Sequence, residues 1–474
     1  MKVAMNQWYR TRKLLRRLAC MGILVYILSA CSNEKEWNLV FILVDDLGWN
    51  QVGYHGNSFY ETPNIDKIAN AGMHFRDAYA AANVCSPTRA SLMTGFNPAR
   101  LHITDYIPGS PFPYEKLVTP QQLTTGLPLE YQTMAELLRD EGYINGHFGK
   151  WHLNKDKKYE PGRPGDPESQ GFDKDEILTT VKPKPDTDPY ADPHHSQEIT
   201  ARSLDFIKRH KDEKFFCYTA YHAVHRPLIE EPELIAKYEA KEGADEDVNN
   251  PIMGAMIERM DTGIGQIMDL LEELELDDNT IVVFYSDNGG LEFLQDQAPL
   301  RGGKATIWEG GLRVPLAIRW PGVIAPNQIS EELISSDDFF PTFAELFDRT
   351  VEGYDGVSLL PLLTGSGSIE REALYFHYPH YHHLGYKPGS AIRMGDYKLI
   401  EWYEQTLLEE NGQVSLFNLR EDIGEENDLS VKLPEKTAEM RKMLHTWRKE
   451  IGAQEMTVNP NHDPERAKLR FPEE

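Results

Sequence analysis

Residues Asn38–Val44 read NLVFILV, with no polar break after Asn38, and the run stops at two adjacent aspartates, Asp45 and Asp46. An unbroken β-branched and aromatic run has no solvent-facing side, so it predicts a strand covered on both faces, the habit of a parallel sheet between helical layers. Residues 280–285 (TIVVFY) repeat the pattern and lead to Asp287-Asn288-Gly289-Gly290. Further strands are expected at 143–148, 214–223 and 314–320. Helices are expected at 62–72, 133–142, 196–210, 253–276 and 337–346. The first is opened by Thr62-Pro63 and closed by Gly72, the usual start and stop signals.

This alternation predicts an α/β fold, a large domain over 37–365 whose mostly parallel central sheet is sandwiched by helices. It fades after about residue 365. There 391–401 and 414–418 read as short antiparallel strands and 434–450 as a terminal helix, so 366–474 is expected to be a small C-terminal α+β domain. Pro- and Gly-rich stretches at 107–128 and 161–193 read as surface loops.

Residues 1–17 carry six basic side chains and no acid, and an apolar run of 13 residues follows, from Leu18 to Ala30. These are the marks of a secretory signal, and the run is short for a membrane span. Leu28-Ser29-Ala30-Cys31 resembles a bacterial lipobox, with 1–30 as a lipoprotein signal peptide and Cys31 as the lipidated mature N-terminus. The expectation is an exported lipoprotein of the bacterial cell envelope, in the periplasm or at the outer membrane or cell surface, anchored by acyl chains only. The chain has 49 basic and 75 acidic residues, a net charge of −26, which excludes the wrapping of nucleic acid. Four cysteines cannot frame a disulfide scaffold. Cys20 leaves with the signal, and Cys217 falls inside an expected core strand.

In open α/β sheets, ligands collect at the carboxyl ends of strands. Asp45 and Asp46 repel each other unless a cation or hydrogen bonds hold them, and Asp287 with Asn288 repeats the arrangement at a second strand exit. Together they offer the oxygen ligands that suit Ca²⁺ or Mg²⁺. In Cys85-Ser86-Pro87-Thr88-Arg89, the proline marks a helix start and sets Cys85 at its N-terminus. Backbone N–H groups there favour a tetrahedral anion, and Arg89 adds a fork of donors.

Cys-Ser-Pro-Thr-Arg, followed by Ala-Ser-Leu-Met-Thr-Gly, resembles the signature of the type I, formylglycine-dependent sulfatases of the alkaline-phosphatase-like superfamily. Cys85, Pro87 and Arg89 match its C-x-P-x-R core. Asp45 with Asp46, Gly149-Lys150-Trp151-His152, His225 before Arg-Pro, Asp287 with Asn288, and Lys304 in Lys-Ala-Thr-Ile-Trp-Glu-Gly-Gly match further family motifs in order. The resemblance implies an alkaline-phosphatase-like fold and a sulfuric ester hydrolase similar to bacterial glycan sulfatases and arylsulfatases. It implies that a separate maturation enzyme oxidises Cys85 to formylglycine. It also implies that Asp45, Asp46, residue 85, Asp287 and Asn288 hold a divalent ion, usually Ca²⁺, with Mg²⁺ the alternative. One hydroxyl of the formylglycine hydrate would attack sulfur, giving its proton to Asp287, and His152 would deprotonate the other to expel sulfate. Arg89 and Lys150 would stabilise the hydrate and sulfate oxygens. His225 and Lys304 would serve the leaving oxygen, with His222 the rival for that role.

An envelope enzyme of this kind points to a sulfated polysaccharide or glycosaminoglycan fragment, with galactose or N-acetylgalactosamine sulfate as the expected unit. Residues 101–109 read as a subfamily loop after the nucleophile helix. His377, Tyr378, His380, Tyr381, His382 and His383 cluster near the expected domain junction. His380, His382 and His383, with His222, are expected to meet sugar hydroxyls and rings. The competing readings are a phosphatase or phosphonate monoester hydrolase of the same superfamily, and a catalytically silent glycan-binding lipoprotein.

Overall fold

The Asn38–Val44 run is a strand, β1, buried along its whole length. It lies inside an eight-stranded sheet with β2 (Met73–Phe75), β3 (Ile144–Gly149), β4 (Ile177–Thr179), β5 (Phe215–Tyr221), β6 (Thr280–Ser286), β7 (Leu316–Arg319) and β8 (Gln328–Ser330), ordered β8-β2-β7-β6-β1-β5-β3-β4. The computed structural model describes residues 36–121, 126–156, 158–179, 190–350, 352–383, 386–408 and 414–467. The expected signal peptide, Cys20 and Cys31 lie outside these described residues.

Side chains alternate across β1 as a strand requires. Val40, Ile42 and Val44 enter the core beneath the helices Pro63–Asn70, Ser196–Arg209 and Pro251–Glu273. Phe41 faces the other layer, where its ring meets Phe339 of the helix Phe339–Leu346 edge-on at 5.1 Å. The long helix Pro251–Glu273 is capped by Asn250, whose side chain accepts from the backbone N–H of Ile252 and Met253 at 3.1 Å, satisfying two donors that the first turn leaves open.

The sheet is parallel apart from β7, which pairs antiparallel with both β2 and β6. After β6 the chain folds over the carboxyl end of the sheet and re-enters from that same end. A strand entering there must run backwards. One segment of the expected 161–193 loop is also ordered otherwise, since β4 extends the sheet beside β3 through Phe148↔Leu178.

After residue 365, β9 (Leu374–Tyr378), β10 (Gly389–Met394), β11 (Tyr397–Trp402) and β12 (Val414–Asn418) form a four-stranded antiparallel sheet. The helix Pro434–Ile451 lays Met440 and Leu444 against Ile392, Leu399 and Leu416. Lys398 of β11 is fully buried, and its Nζ lies 2.9 Å from both Glu309 Oε1 and Glu425 Oε1. Glu309 Oε2 accepts from Tyr79 Oη at 2.8 Å and from Arg313 Nε at 2.7 Å. Removing the cation from between two buried carboxylates leaves charge that solvent cannot reach. Lys398→Ala should therefore lower unfolding stability by about 3–5 kcal/mol, measured by urea titration. A loss near the 0–1 kcal/mol of an exposed pair would contradict the isolation of this cluster.

Candidate active site

The site is a product of strand register. Val44 of β1 lies opposite Ser286 of β6 and Tyr221 of β5, and Gly149 of β3 lies opposite Ala220. Four adjacent parallel strands therefore end at one level, and the next residues in each, Asp45, Asp287, His222 and Lys150, emerge side by side. Backbone bonds lock the exits together: Asp287 N donates to Val44 O at 3.0 Å, Lys150 N to Ala220 O at 2.9 Å, and Val224 N to Asp45 O at 2.8 Å.

The buried helix Cys85–Thr94 begins at Cys85 and directs its N-terminus at these exits. Cys85 Sγ lies 3.4 Å from Asp45 Oδ1 and 3.4 Å from Lys304 Nζ. Arg89 follows one turn later on the same helix face. Its Nε and Nη2 each lie 2.8 Å from Asp287 Oδ2, and its Nη1 donates to Lys150 O at 2.7 Å. Lys150 Nζ pairs with Asp45 Oδ2 at 2.6 Å, and Lys304 Nζ with Asp46 Oδ1 at 2.6 Å. Three buried carboxylates thus face three cations. Burial pushes the Cys85 thiol up to about 12, against the pull of Lys150 and Lys304. Burial, then repulsion from Asp45, raises the Asp287 carboxyl to about 6.

The residues fit a divalent cation. Ligand atoms of Asp45, Asp46, Cys85 and Asp287 all lie within 4.8 Å of one another. Asn288 Nδ2 donates to Asp46 Oδ1 at 2.8 Å, while Asn288 Oδ1 is buried with no hydrogen-bond partner among the described residues. Converging carboxylates beside an orphaned amide oxygen are the ligand set of a hard cation. With three carboxylates already balanced by three cations, two further positive charges would make the site selective for an anion.

His152 Nε2 lies 2.9 Å from Ile107 O. A carbonyl only accepts, so Nε2 carries the proton and Nδ1, buried without a partner among the described residues, holds a free lone pair. Burial, then Lys150 and Arg89, keeps the ring neutral far below the usual histidine range. His225 donates from Nδ1 to Arg226 O at 2.7 Å and turns Nε2 toward Asp46 Oδ2 at 3.9 Å. His222 Nδ1 lies 3.7 Å from Asp45 Oδ2. Both histidines therefore stand over the carboxylates, and burial, the larger cause in each, holds both neutral.

The expected histidine cluster divides. His380 is 2% exposed and its Nε2 lies 2.7 Å from Thr104 Oγ1, so the ring ties the 101–109 loop to the segment that follows β9. His377 belongs to β9, where its two nitrogens engage Ser390 Oγ and Gln454 O at 2.9 Å. His382 is buried but feels the charges of Lys304 and Arg226, as does the exposed His383. These two border the site. Two residues not singled out by sequence also adjoin it. Asn83, two positions before Cys85, is buried with both amide atoms unpartnered among the described residues. His194 stacks on His222 at 6.2 Å.

The Sulfatase family model matches residues 37–349, which span the strands, the Cys85 helix and Lys304. The chain belongs to the sulfatase family. A second model, described as N-sulphoglucosamine sulphohydrolase, C-terminal, matches residues 303–453 of this sulfatase. A sulfatase of Formosa agariphila is 30% identical over 91% of this chain and 93% of its own length. Human N-acetylgalactosamine-6-sulfatase is 30% identical over 74% of this chain and 70% of its own. Among solved structures, Ps i-CgsB in complex with k-i-k-neocarrahexaose aligns with a TM-score of 0.72 at 26% identity, covering 92% of this chain and 97% of that one. The sulfatase is accordingly a sulfuric ester hydrolase with the alkaline-phosphatase-like fold of its family.

Proposed function

We propose that this sulfatase removes sulfate from a sulfated carbohydrate, using a formylglycine made from Cys85 and a divalent cation held by Asp45, Asp46, Asp287 and Asn288. The observation that carries the reading is the placement of Cys85. It sits among the candidate metal ligands, its Sγ 3.4 Å from both Asp45 Oδ1 and Lys304 Nζ, with Arg89 one turn further along the same helix. Formylglycine at this position supplies an aldehyde hydrate, one hydroxyl to attack sulfur and a second to release sulfate. The cation, Ca²⁺ in our reading with Mg²⁺ the alternative, supplies Lewis acidity and charge neutralisation.

The chain's own residues do the rest. Asp287 takes a proton from the attacking group. The lone pair on His152 Nδ1 accepts the proton whose loss expels sulfate. Arg89 and Lys150 stabilise oxygens at residue 85. Lys304 and His225 attend the leaving oxygen, with His222 the rival for that role. A carbohydrate is supported by the name of the human relative and by the neocarrahexaose in the structure of Ps i-CgsB. Galactose or N-acetylgalactosamine sulfate is the unit these suggest. The lipobox-like Leu28-Ser29-Ala30-Cys31 supports an exported, lipid-anchored enzyme.

Mass spectrometry of the protein from its native host tests both modifications. The tryptic peptide 77–89 is expected to carry an aldehyde at position 85, and the mature chain is expected to begin at an acylated Cys31. Cysteine alone at 85 removes the proposed nucleophile, and an intact N-terminus removes the anchor.

A further inference from the structure

A cavity of about 450 Å³ lies behind the active-site wall, lined in part by Arg301, Trp308, Tyr386, Trp402 and Gln405. Residues 301–308 divide the two spaces. Lys304 Nζ reaches Cys85 Sγ at 3.4 Å, whereas Arg301 and Trp308, at the ends of the same segment, face the cavity. The opposite side is shared as well, because the Tyr386 ring stacks with that of His382 at 6.3 Å. Inside, Trp308 and Trp402 are half-buried with ring centroids 5.1 Å apart. Arg301 lies 3.8 Å from the centre of the Trp308 ring, its Nη1 held by Glu425 O at 2.7 Å. Gln405 Oε1 is a buried acceptor with no partner among the described residues. The sulfate chemistry uses none of these side chains, and of them only Trp308 falls within a family motif, Lys-Ala-Thr-Ile-Trp-Glu-Gly-Gly.

Flat apolar indoles beside unspent hydrogen-bonding groups match a pyranose, which has apolar C–H faces and a hydroxyl rim. A buried amide oxygen without a partner is costly unless something donates to it. We infer that this cavity is an accessory sugar-binding site, which holds a pyranose unit of the glycan against Trp308 and Trp402 with a hydroxyl donating to Gln405 Oε1. The inference rests on the carbohydrate reading above and adds to it a second point of attachment, so the enzyme would prefer oligosaccharides to small sulfate esters.

The test compares Trp402→Ala and Gln405→Ala with the unaltered enzyme on three substrates: a chondroitin 6-sulfate tetrasaccharide, a carrageenan hexasaccharide and 4-nitrophenyl sulfate. Trp402→Ala is expected to raise KM for an oligosaccharide about fivefold or more, with the constants for 4-nitrophenyl sulfate unchanged. Gln405→Ala, which removes an Oε1 without a partner among the described residues, is expected to shift the same KM in the same direction at unchanged Tm. Oligosaccharide turnover with KM unchanged in both variants, or altered equally for the aryl ester, overturns this inference alone. Turnover of the aryl ester with neither oligosaccharide bound or cleaved overturns the carbohydrate reading, and the accessory site falls with it.

Discussion

Cys85→Ala is expected to abolish sulfate-ester turnover, with kcat/KM for 4-nitrophenyl sulfate falling by about a thousandfold or more, the scale seen when a covalent nucleophile is removed. The substitution is mild in every other respect. Alanine is the best helix former, and position 85 opens a helix that is otherwise untouched. What alanine removes is the weak hydrogen bonding of a thiol, to Asp45 and Lys304 at 3.4 Å each. Thermal stability should therefore change little, which separates a missing nucleophile from a misfolded protein. Activity retained within about tenfold, at unchanged Tm, would show that residue 85 is not the attacking group, because a 10-fold loss is only about 1.4 kcal/mol of transition-state stabilisation.

Stripping divalent cations should have the next largest effect. Asp45, Asp46 and Asp287 are fully buried and converge, and in their mutual presence Asp287 already resists ionisation. A cation that binds only the folded chain would stabilise it by about 2.7 kcal/mol at a hundred times its Kd. Chelation should thus lower Tm as well as reduce turnover by about a hundredfold or more, since Lewis-acid assistance is worth several kcal/mol. Ca²⁺ should restore both. In Asp46→Asn, restoration should require a higher concentration, because one ligand charge is lost. Full activity and unchanged Tm in protein shown by elemental analysis to be metal-free would contradict the assignment of these carboxylates.

The metal-side half of the site was legible in the sequence because it depends on local facts. The Asn38–Val44 and 280–285 runs read as strands buried on both faces, and their exits put Asp45 and Asp287 where ligands collect in an open α/β sheet. Pro87 announced the helix that presents Cys85. The direction of β7 was not legible, since it depends on where the 287–315 segment travels. Nor was the fate of His380. A histidine beside tyrosines gives no sign of a hydrogen bond to a threonine from a loop far away in sequence. β9 went unread for a related reason, its Tyr and His residues suggesting a binding loop when they alternate across a sheet. Asn83 and His194 gave no signal beyond their residue type. Lys398 and Glu309 are 89 positions apart, and no periodicity links such a pair.

That last pair bears on how such enzymes could be recombined. Glu309 lies five residues beyond Lys304, and its buried charge is answered by Lys398 and Arg313. A chimera joining the first 365 residues to a relative's remaining segment would need to import a lysine at that place on the antiparallel sheet. Without it, Glu309 would keep Arg313 but lose the cation it shares with Glu425. The two segments of this molecule are therefore matched through one buried lysine and the acids on either side of it.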